Sequence, residues 1–256
     1  MRAPAHIPDR YELKYVIPES MCAPLRAALR PYCELDRFSA ATDDKQYCIT
    51  SLYYDTPTLL FHRTKQAKQL RRFKLRVRTY GIESDGPVFF EVKRKIGDIV
   101  AKARARVPRA DWSARLRPQT DDGVGAAERD FTSLLSRHDA RPTLLARYHR
   151  EAWVSTIDNY ARVTFDRRLL YQPFHRHDLR GDSRCWRSSD DAMTTRGTSR
   201  GVVLELKSTV DVPRWMVALI RRFDLARVGF SKYCSGVERV LRESGSASAD
   251  RVATCA

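Results

Sequence analysis

Residues 71–80 read RRFKLRVRTY. Lys74, Arg76 and Arg78 alternate with Phe73, Leu75 and Val77, and residues two apart in a strand share a face. One side of the segment is therefore apolar and the other densely cationic. An ordinary half-exposed sheet carries Thr, Ser, Gln and charges of both signs on its wet side, because like charges on neighbouring strands repel. A face loaded this heavily with Lys and Arg calls for something anionic against it.

The same division recurs in four more segments. In RYELKYVI (10–17) Arg10, Glu12 and Lys14 oppose Tyr11, Leu13 and Tyr15. In FFEVKRK (89–95) Glu91, Lys93 and Lys95 oppose Phe90 and Val92. In YARVTFDRR (160–168) Arg162, Thr164, Asp166 and Arg168 oppose Val163 and Phe165, and in VVLELKS (202–208) Glu205 and Lys207 oppose Leu204 and Leu206. Three of these segments contain Glu-x-Lys. With ten lysines and ten glutamates in 256 residues, chance placement gives roughly 0.4 such pairs, so the repetition is a pattern. Arginine supplies 37 of the 47 basic residues, which makes the retained lysines candidates for a lysine-specific role.

Period-2 alternation predicts strands at 10–17, 46–54, 72–80, 87–95, 99–107, 145–155, 160–170 and 201–209. Helical spacing predicts helices at 19–30, 57–66, 126–138, 213–225 and 235–243. Trp215, Leu219, Ile220 and Phe223 form an apolar stripe on the fourth of these. Many strands with helices between and after them indicate an α+β chain, an antiparallel barrel or sandwich with helical decoration. The expected organisation is a single domain over 1–243 and a disordered tail over 244–256. Polar segments at 112–125 and 173–200 read as loops, the second long enough to act as a lid. Its HRH at 175–177 reads as solvated rather than as a metal pair.

The formal charge of +16 points to an anionic partner: nucleic acid, phosphate compounds or an acidic membrane face. No RNA-binding, zinc-finger or basic-helix motif is present, so nucleic acid is not the expected partner. The six cysteines form no C-x-x-C pair and no zinc spacing with the six histidines, which fits a reduced, cytoplasmic compartment. The longest apolar runs, such as WMVALI (215–220), are too short to span a bilayer. A surface this basic could still rest peripherally on the inner face of an anionic membrane.

Faces closed inward would make a cationic tunnel. There Arg forks and Lys point charges would bind a run of phosphates, and the few carboxylates would suit a divalent metal. Taken in order, RYELKYVI, SLYYDT, KLRVRTYG, FFEVKRK, YHREAW, ARVTFDRRL, VLELKS and FSKYCSG resemble the VTC domain of polyphosphate polymerases, in the CYTH-like or triphosphate tunnel metalloenzyme superfamily. The resemblance implies a closed tunnel of eight antiparallel strands.

It assigns phosphate binding to Lys14, Arg76, Arg78, Lys93, Arg150, Arg162, Lys207 and Lys232, and metal binding, Mn²⁺ or Mg²⁺, to Glu205. The residues expected to carry catalysis are Arg76, Arg78, Lys93, Arg150, Arg162 and Lys207; Lys14, Lys74, Lys232, Glu12 and Glu91 would bind substrate. Tyr53 and Asp55, in YYDT, match a recurrent family element that is either structural or part of the site. One departure stands out: Arg10 replaces the first Glu of the E-x-E-x-K found in many relatives, which disfavours a Glu-rich hydrolytic centre.

The implied reaction moves the terminal phosphoryl group of ATP onto a growing inorganic polyphosphate chain, with a membrane component as a potential partner. Two alternatives remain, a tripolyphosphatase or nucleoside triphosphatase in the same tunnel and a non-catalytic polyphosphate-binding module. Glu205 argues against the second, since a pure anion binder gains nothing from a carboxylate among cations.

Overall fold

A computed structural model describes residues 11–81, 86–118, 123–158, 160–191, 201–209 and 211–253, with side chains through 244. Arg10 and the stretch 192–200 lie outside the described residues. The strands are β1 (Tyr11–Pro18), β2 (Cys33–Leu35), β3 (Tyr47–Asp55), β4 (Arg71–Tyr80), β5 (Val88–Ile96), β6 (Ile99–Val107), β7 (Arg141–Ser155), β8 (Ala161–Pro173), β9 (Arg187–Ser188) and β10 (Gly201–Ser208). The helices are α1 (Cys22–Leu29), α2 (Arg37–Ala40), α3 (Leu60–Gln66), α4 (Ala126–Arg137), α5 (Arg214–Arg222) and α6 (Lys232–Ala253).

Eight strands form one curled antiparallel path in the order β1-β10-β8-β7-β3-β4-β5-β6, with β2 added to β7 and β9 to β8. These eight are the strands that period-2 alternation predicts. Among the described residues no ladder joins the two end strands. Instead Lys93, on β5, reaches across the seam to Glu12, on β1, so side chains rather than backbone complete the ring there.

The apolar faces point outward and are covered by helices. Trp215, Met216 and Leu219 of α5 and Leu25 and Leu29 of α1 pack with Val163, Phe165, Leu204 and Leu206. Phe131 and Leu135 of α4 pack with Leu75, Val77, Phe90 and Val92. Tyr233, Cys234 and Val237 of α6 cover Leu144 and Tyr171. With hydrophobic faces buried outward against helices, the charged faces are left to line the inside.

Three local features depart from the sequence reading. Arg168 does not share the inward face of Arg162, Thr164 and Asp166: it is exposed, with φ 50°, and the β7–β8 register shifts beside it, between Arg147 and His149. Such a bulge inserts one extra residue and reverses the alternation beyond it. The helix α6 runs on to Ala253, past residue 243, with no proline in 232–253 to stop it. The described part of the 173–200 loop packs down instead of forming a lid, with Phe174 and Leu179 buried against the core. The HRH residues 175–177 are exposed, as expected for a solvated stretch, with His177 Nδ1 3.0 Å from the Tyr54 hydroxyl.

Asp55 settles as a structural residue. Its carboxylate accepts from the backbone N–H groups of Thr56, Phe61 and His62 at 2.7, 2.8 and 2.9 Å and from the Tyr233 hydroxyl at 2.5 Å. It thereby caps the start of α3 and ties α6 to the barrel. The stripe predicted on 213–225 packs on the barrel as expected.

Candidate functional site: a cationic cavity through the curled sheet

A cavity of 660 Å³ opens inside the sheet, lined by thirteen Lys and Arg side chains against two acids, Asp36 and Glu205. Lys14, Lys74, Arg76, Arg78, Lys93, Arg150, Arg162, Lys207, Lys232 and Glu205 all reach it. Glu12 lies on the wall of an adjoining cavity, and Glu91 is fully buried behind the first. The fold thus gathers every residue named from the sequence as a site residue into one region.

Strand register explains the gathering. Lys14 faces Glu205 across β1 and β10, and Glu12 faces Lys207. Arg150 faces Asp166 across β7 and β8; Arg76 faces Glu91 and Lys74 faces Lys93 across β4 and β5. Each charged position therefore sits beside another on the same inner face.

Four buried carboxylates hold the cations in place. Glu91, 0% exposed, lies 2.7 Å from Arg76 Nε and 2.6 Å from Arg76 Nη2, 3.8 Å from Arg78, 3.4 Å from Arg104 and against Lys102. Asp166, also 0% exposed, is gripped by Arg150 through two bonds of 2.7 Å and by Lys232 at 2.5 Å. Glu205 has Lys207 at 2.8 Å, Lys14 at 3.3 Å, and Arg150 and Lys232 each at 3.7 Å. Glu12 pairs with Lys93. Neutral groups finish the positioning: Arg76 donates to the Tyr53 hydroxyl at 3.2 Å, and Arg78 to Ser51 and Tyr148, each at 3.1 Å.

Burial disfavours the charged form of each of these carboxylates, but the surrounding cations override it. Glu91 and Glu205 titrate well below the ordinary carboxylate range, and Glu12 and Asp166 are lowered too. Several lysines show the reverse balance. Burial pushes Lys93 down to about 7 despite Glu12, and Lys207 down to about 8 despite Glu205. Lys74 is lowered by burial and bonds to a neutral partner, Ser231 Oγ, at 2.6 Å. These lysines lack enough negative charge around them, which a polyanion would supply. Two polar atoms in the wall, Thr164 Oγ1 and Arg162 Nε, are buried and without a hydrogen-bond partner, and both can donate to an anion.

The adjoining cavity, 460 Å³, shares Lys14, Lys74, Lys93 and Ser231 with the first. Lys65, Lys68, Arg72, Lys95 and Arg227 carry the positive lining outward from that shared wall. The cationic surface therefore exceeds what a single triphosphate would cover.

The fold adds residues that the sequence reading left out. Lys102, Arg104 and Arg106 line the cavity from β6; they alternate with Ala101, Ala103 and Ala105 in IVAKARARV, the same period-2 signal seen in β4. Tyr53 reaches the cavity as well, unlike its neighbour Asp55. Asp36 carried no such signal. It caps α2 by accepting from Ser39 N at 2.8 Å and pairs with Arg162 at 2.8 Å.

Of the two acids that line the cavity, Asp36 is paired with Arg162. Among the described residues no three of His, Cys, Asp and Glu converge into a metal-holding group, and Glu205 is engaged by lysines. Any divalent ion here would need oxygens of a bound phosphate as its further ligands. No helix among the described residues is long and apolar enough to cross a membrane.

Comparison with known proteins places the chain. The family model described as VTC domain matches residues 9–241. No curated protein sequence matches. Similar solved structures include a candidate adenylate cyclase from Vibrio parahaemolyticus, 15% identical, covering 88% of this chain and 95% of that one, TM-score 0.46. A candidate adenylate cyclase from Bacillus halodurans is 9% identical over 88% of this chain and 94% of its own, TM-score 0.48. A candidate adenylyl cyclase from Hippeastrum, described as having a dominant triphosphatase activity, is 12% identical over 90% and 95%, TM-score 0.45.

Proposed function

The chain belongs to the VTC domain family, and on that premise we propose that it transfers the terminal phosphoryl group of ATP to the end of an inorganic polyphosphate chain. The observation that carries this reading is the shared wall of the two cavities: Lys14, Lys74 and Lys93 belong to both. A triphosphate in the first cavity and a polyphosphate chain in the second would meet along one run of cations.

Phosphoryl transfer needs in-line positioning and positive charge on the oxygens where negative charge gathers. In this reading Arg76, Arg78, Arg150 and Arg162 clamp the donor, while Lys93, Lys207 and Lys14 neutralise the transferring group. Lys74 and Lys232 hold the chain. The bond between the terminal phosphorus and its bridging oxygen breaks, a terminal oxygen of the chain forms the new bond, and ADP leaves with the electron pair. A Mg²⁺ or Mn²⁺ ion shared between Glu205 and the phosphates would add Lewis-acid stabilisation.

The acceptor oxygen is already ionised, so no general base is required. Hydrolysis, by contrast, has to activate water. The four buried carboxylates are held below their ordinary range by their cations, which makes them weak bases near neutral pH.

The test is to incubate purified protein with ATP and Mn²⁺, resolve the products on a gel stained for polyphosphate, and measure free phosphate in parallel. A ladder of polymer is the expected result. Free phosphate without polymer would make the protein a hydrolase, and tight polyphosphate binding with neither product would make it a binding module.

A further inference from the structure

At one end of the cavity aromatic rings join the charged lining. Along the inner face of β4 the side chains run Lys74, Arg76, Arg78, Tyr80, and along β5 they run Lys93, Glu91, Phe89, with Arg78 opposite Phe89. Both strands therefore turn aromatic at the same rim, where Arg104 of β6 lies over the Phe89 and Tyr80 rings, 3.6 and 5.4 Å from their centroids. Tyr47, at the start of β3, joins them. Across this rim lies Phe38 of α2, whose ring is parallel to that of Tyr80 within 13°, centroids 6.3 Å apart, and 5.8 Å from that of Tyr47.

Phe38 is 49% exposed. The Arg37 guanidinium lies over the ring, 4.7 Å from its centroid, and the position of the ring is well fixed. Asp36, two residues earlier, caps α2 and pairs with Arg162 inside the cavity at 2.8 Å. The rim is thus tied to the same arginine that faces the phosphates. The opposite end, by Lys65, Lys68, Arg72, Lys95 and Arg227, continues as cations and suits bare phosphate.

We propose that Phe38, backed by Tyr80 and Tyr47, is the stacking platform for the base of the nucleoside triphosphate donor. The proposal rests on the reading of this cavity as the donor site, and it gives the passage a direction: nucleoside at the aromatic rim, polyphosphate at the lysine-rich end. A planar base linked to a triphosphate matches the order of surfaces from rim to interior. Stacking tolerates any base, because each presents a π-face, so the platform distinguishes nucleotides from inorganic polyphosphate and accepts ATP and GTP alike.

The test measures affinity of the full chain for ATP and for inorganic tripolyphosphate, in wild type, Phe38→Ala and Phe38→Trp, by calorimetry. Loss of one stacking ring is expected to weaken ATP about tenfold, to leave tripolyphosphate unchanged, and to be reversed by Phe38→Trp. Equal effects on both ligands, or none on either, would overturn the platform. Wild-type protein that binds ATP through Phe38 but makes no polymer would remove the polymerase reading and leave the platform standing. Wild-type protein that makes polymer with an unaltered ATP preference in Phe38→Ala would do the opposite. Protein that binds neither ligand would remove both.

Discussion

Lys14 stands directly across the β1–β10 ladder from Glu205, with its Nζ 3.3 Å from the carboxylate. Lys207, Arg150 and Lys232 converge on the same carboxylate. One acid thus organises four cations on three different strands and a helix. Replacing Glu205 by Gln leaves those cations without their shared counter-charge but still able to bind phosphate. Polyphosphate affinity is expected to be retained or raised, while turnover falls about 100-fold or more, the scale seen when one electrostatic element of an active site is lost. Filter binding and the polymer assay measure the two separately; unchanged turnover would take Glu205 out of catalysis.

Glu91 behaves differently because it is wholly enclosed. Glu91→Gln leaves Arg76 and Lys102 facing each other in a buried site without their counter-charge. Breaking a buried ion pair from one side costs about 3–5 kcal/mol. Urea denaturation is expected to show a loss of that order, with added polyphosphate recovering part of it by supplying negative charge. A change below about 1 kcal/mol would mean that the cluster is not held by Glu91.

Much of this architecture is legible in the sequence because a strand's side chains alternate without exception until a bulge intervenes. That rule places Lys14, Glu91 and Glu205 on inner faces from residue spacing alone, and the same alternation in IVAKARARV marks Lys102, Arg104 and Arg106. It fails at Arg168, where the backbone turns to φ 50°, since nothing in DRRLL marks which residue will bulge. Asp36 and Phe38 were also out of reach. Their importance comes from a four-residue helix lying across the cavity rim, a tertiary relationship that no local period encodes.

Phosphate binding is expected to depend on pH through two lysines. In the free protein burial pushes Lys93 down to about 7 and Lys207 down to about 8. A bound polyanion favours the protonated forms and raises both values, so binding above these pH values takes up protons. Affinity should therefore be flat in mild acid and fall as pH rises through 7 and 8, by roughly tenfold per unit for each proton taken up. Calorimetry in buffers of different ionisation heat measures the uptake directly, and its absence would show that both lysines stay charged in the free protein.

Asp55 offers a test of the scaffold alone. Asp55→Ala orphans three backbone N–H groups and the Tyr233 hydroxyl, and each unsatisfied buried donor costs about 1–3 kcal/mol. Stability in urea should drop by several kcal/mol in all, with phosphate affinity lowered no further than in Lys232→Ala. A larger loss of affinity than in Lys232→Ala would move Asp55 into the site.

The most direct measurement of the central claim follows a single phosphate. The protein is incubated with ATP radiolabelled in its terminal phosphate, and in parallel with ATP labelled in its innermost phosphate, and the products are separated by length. The account predicts that terminal label enters a polymer ladder while innermost label stays in the nucleotide. Terminal label appearing as free phosphate, with no labelled polymer, would contradict it.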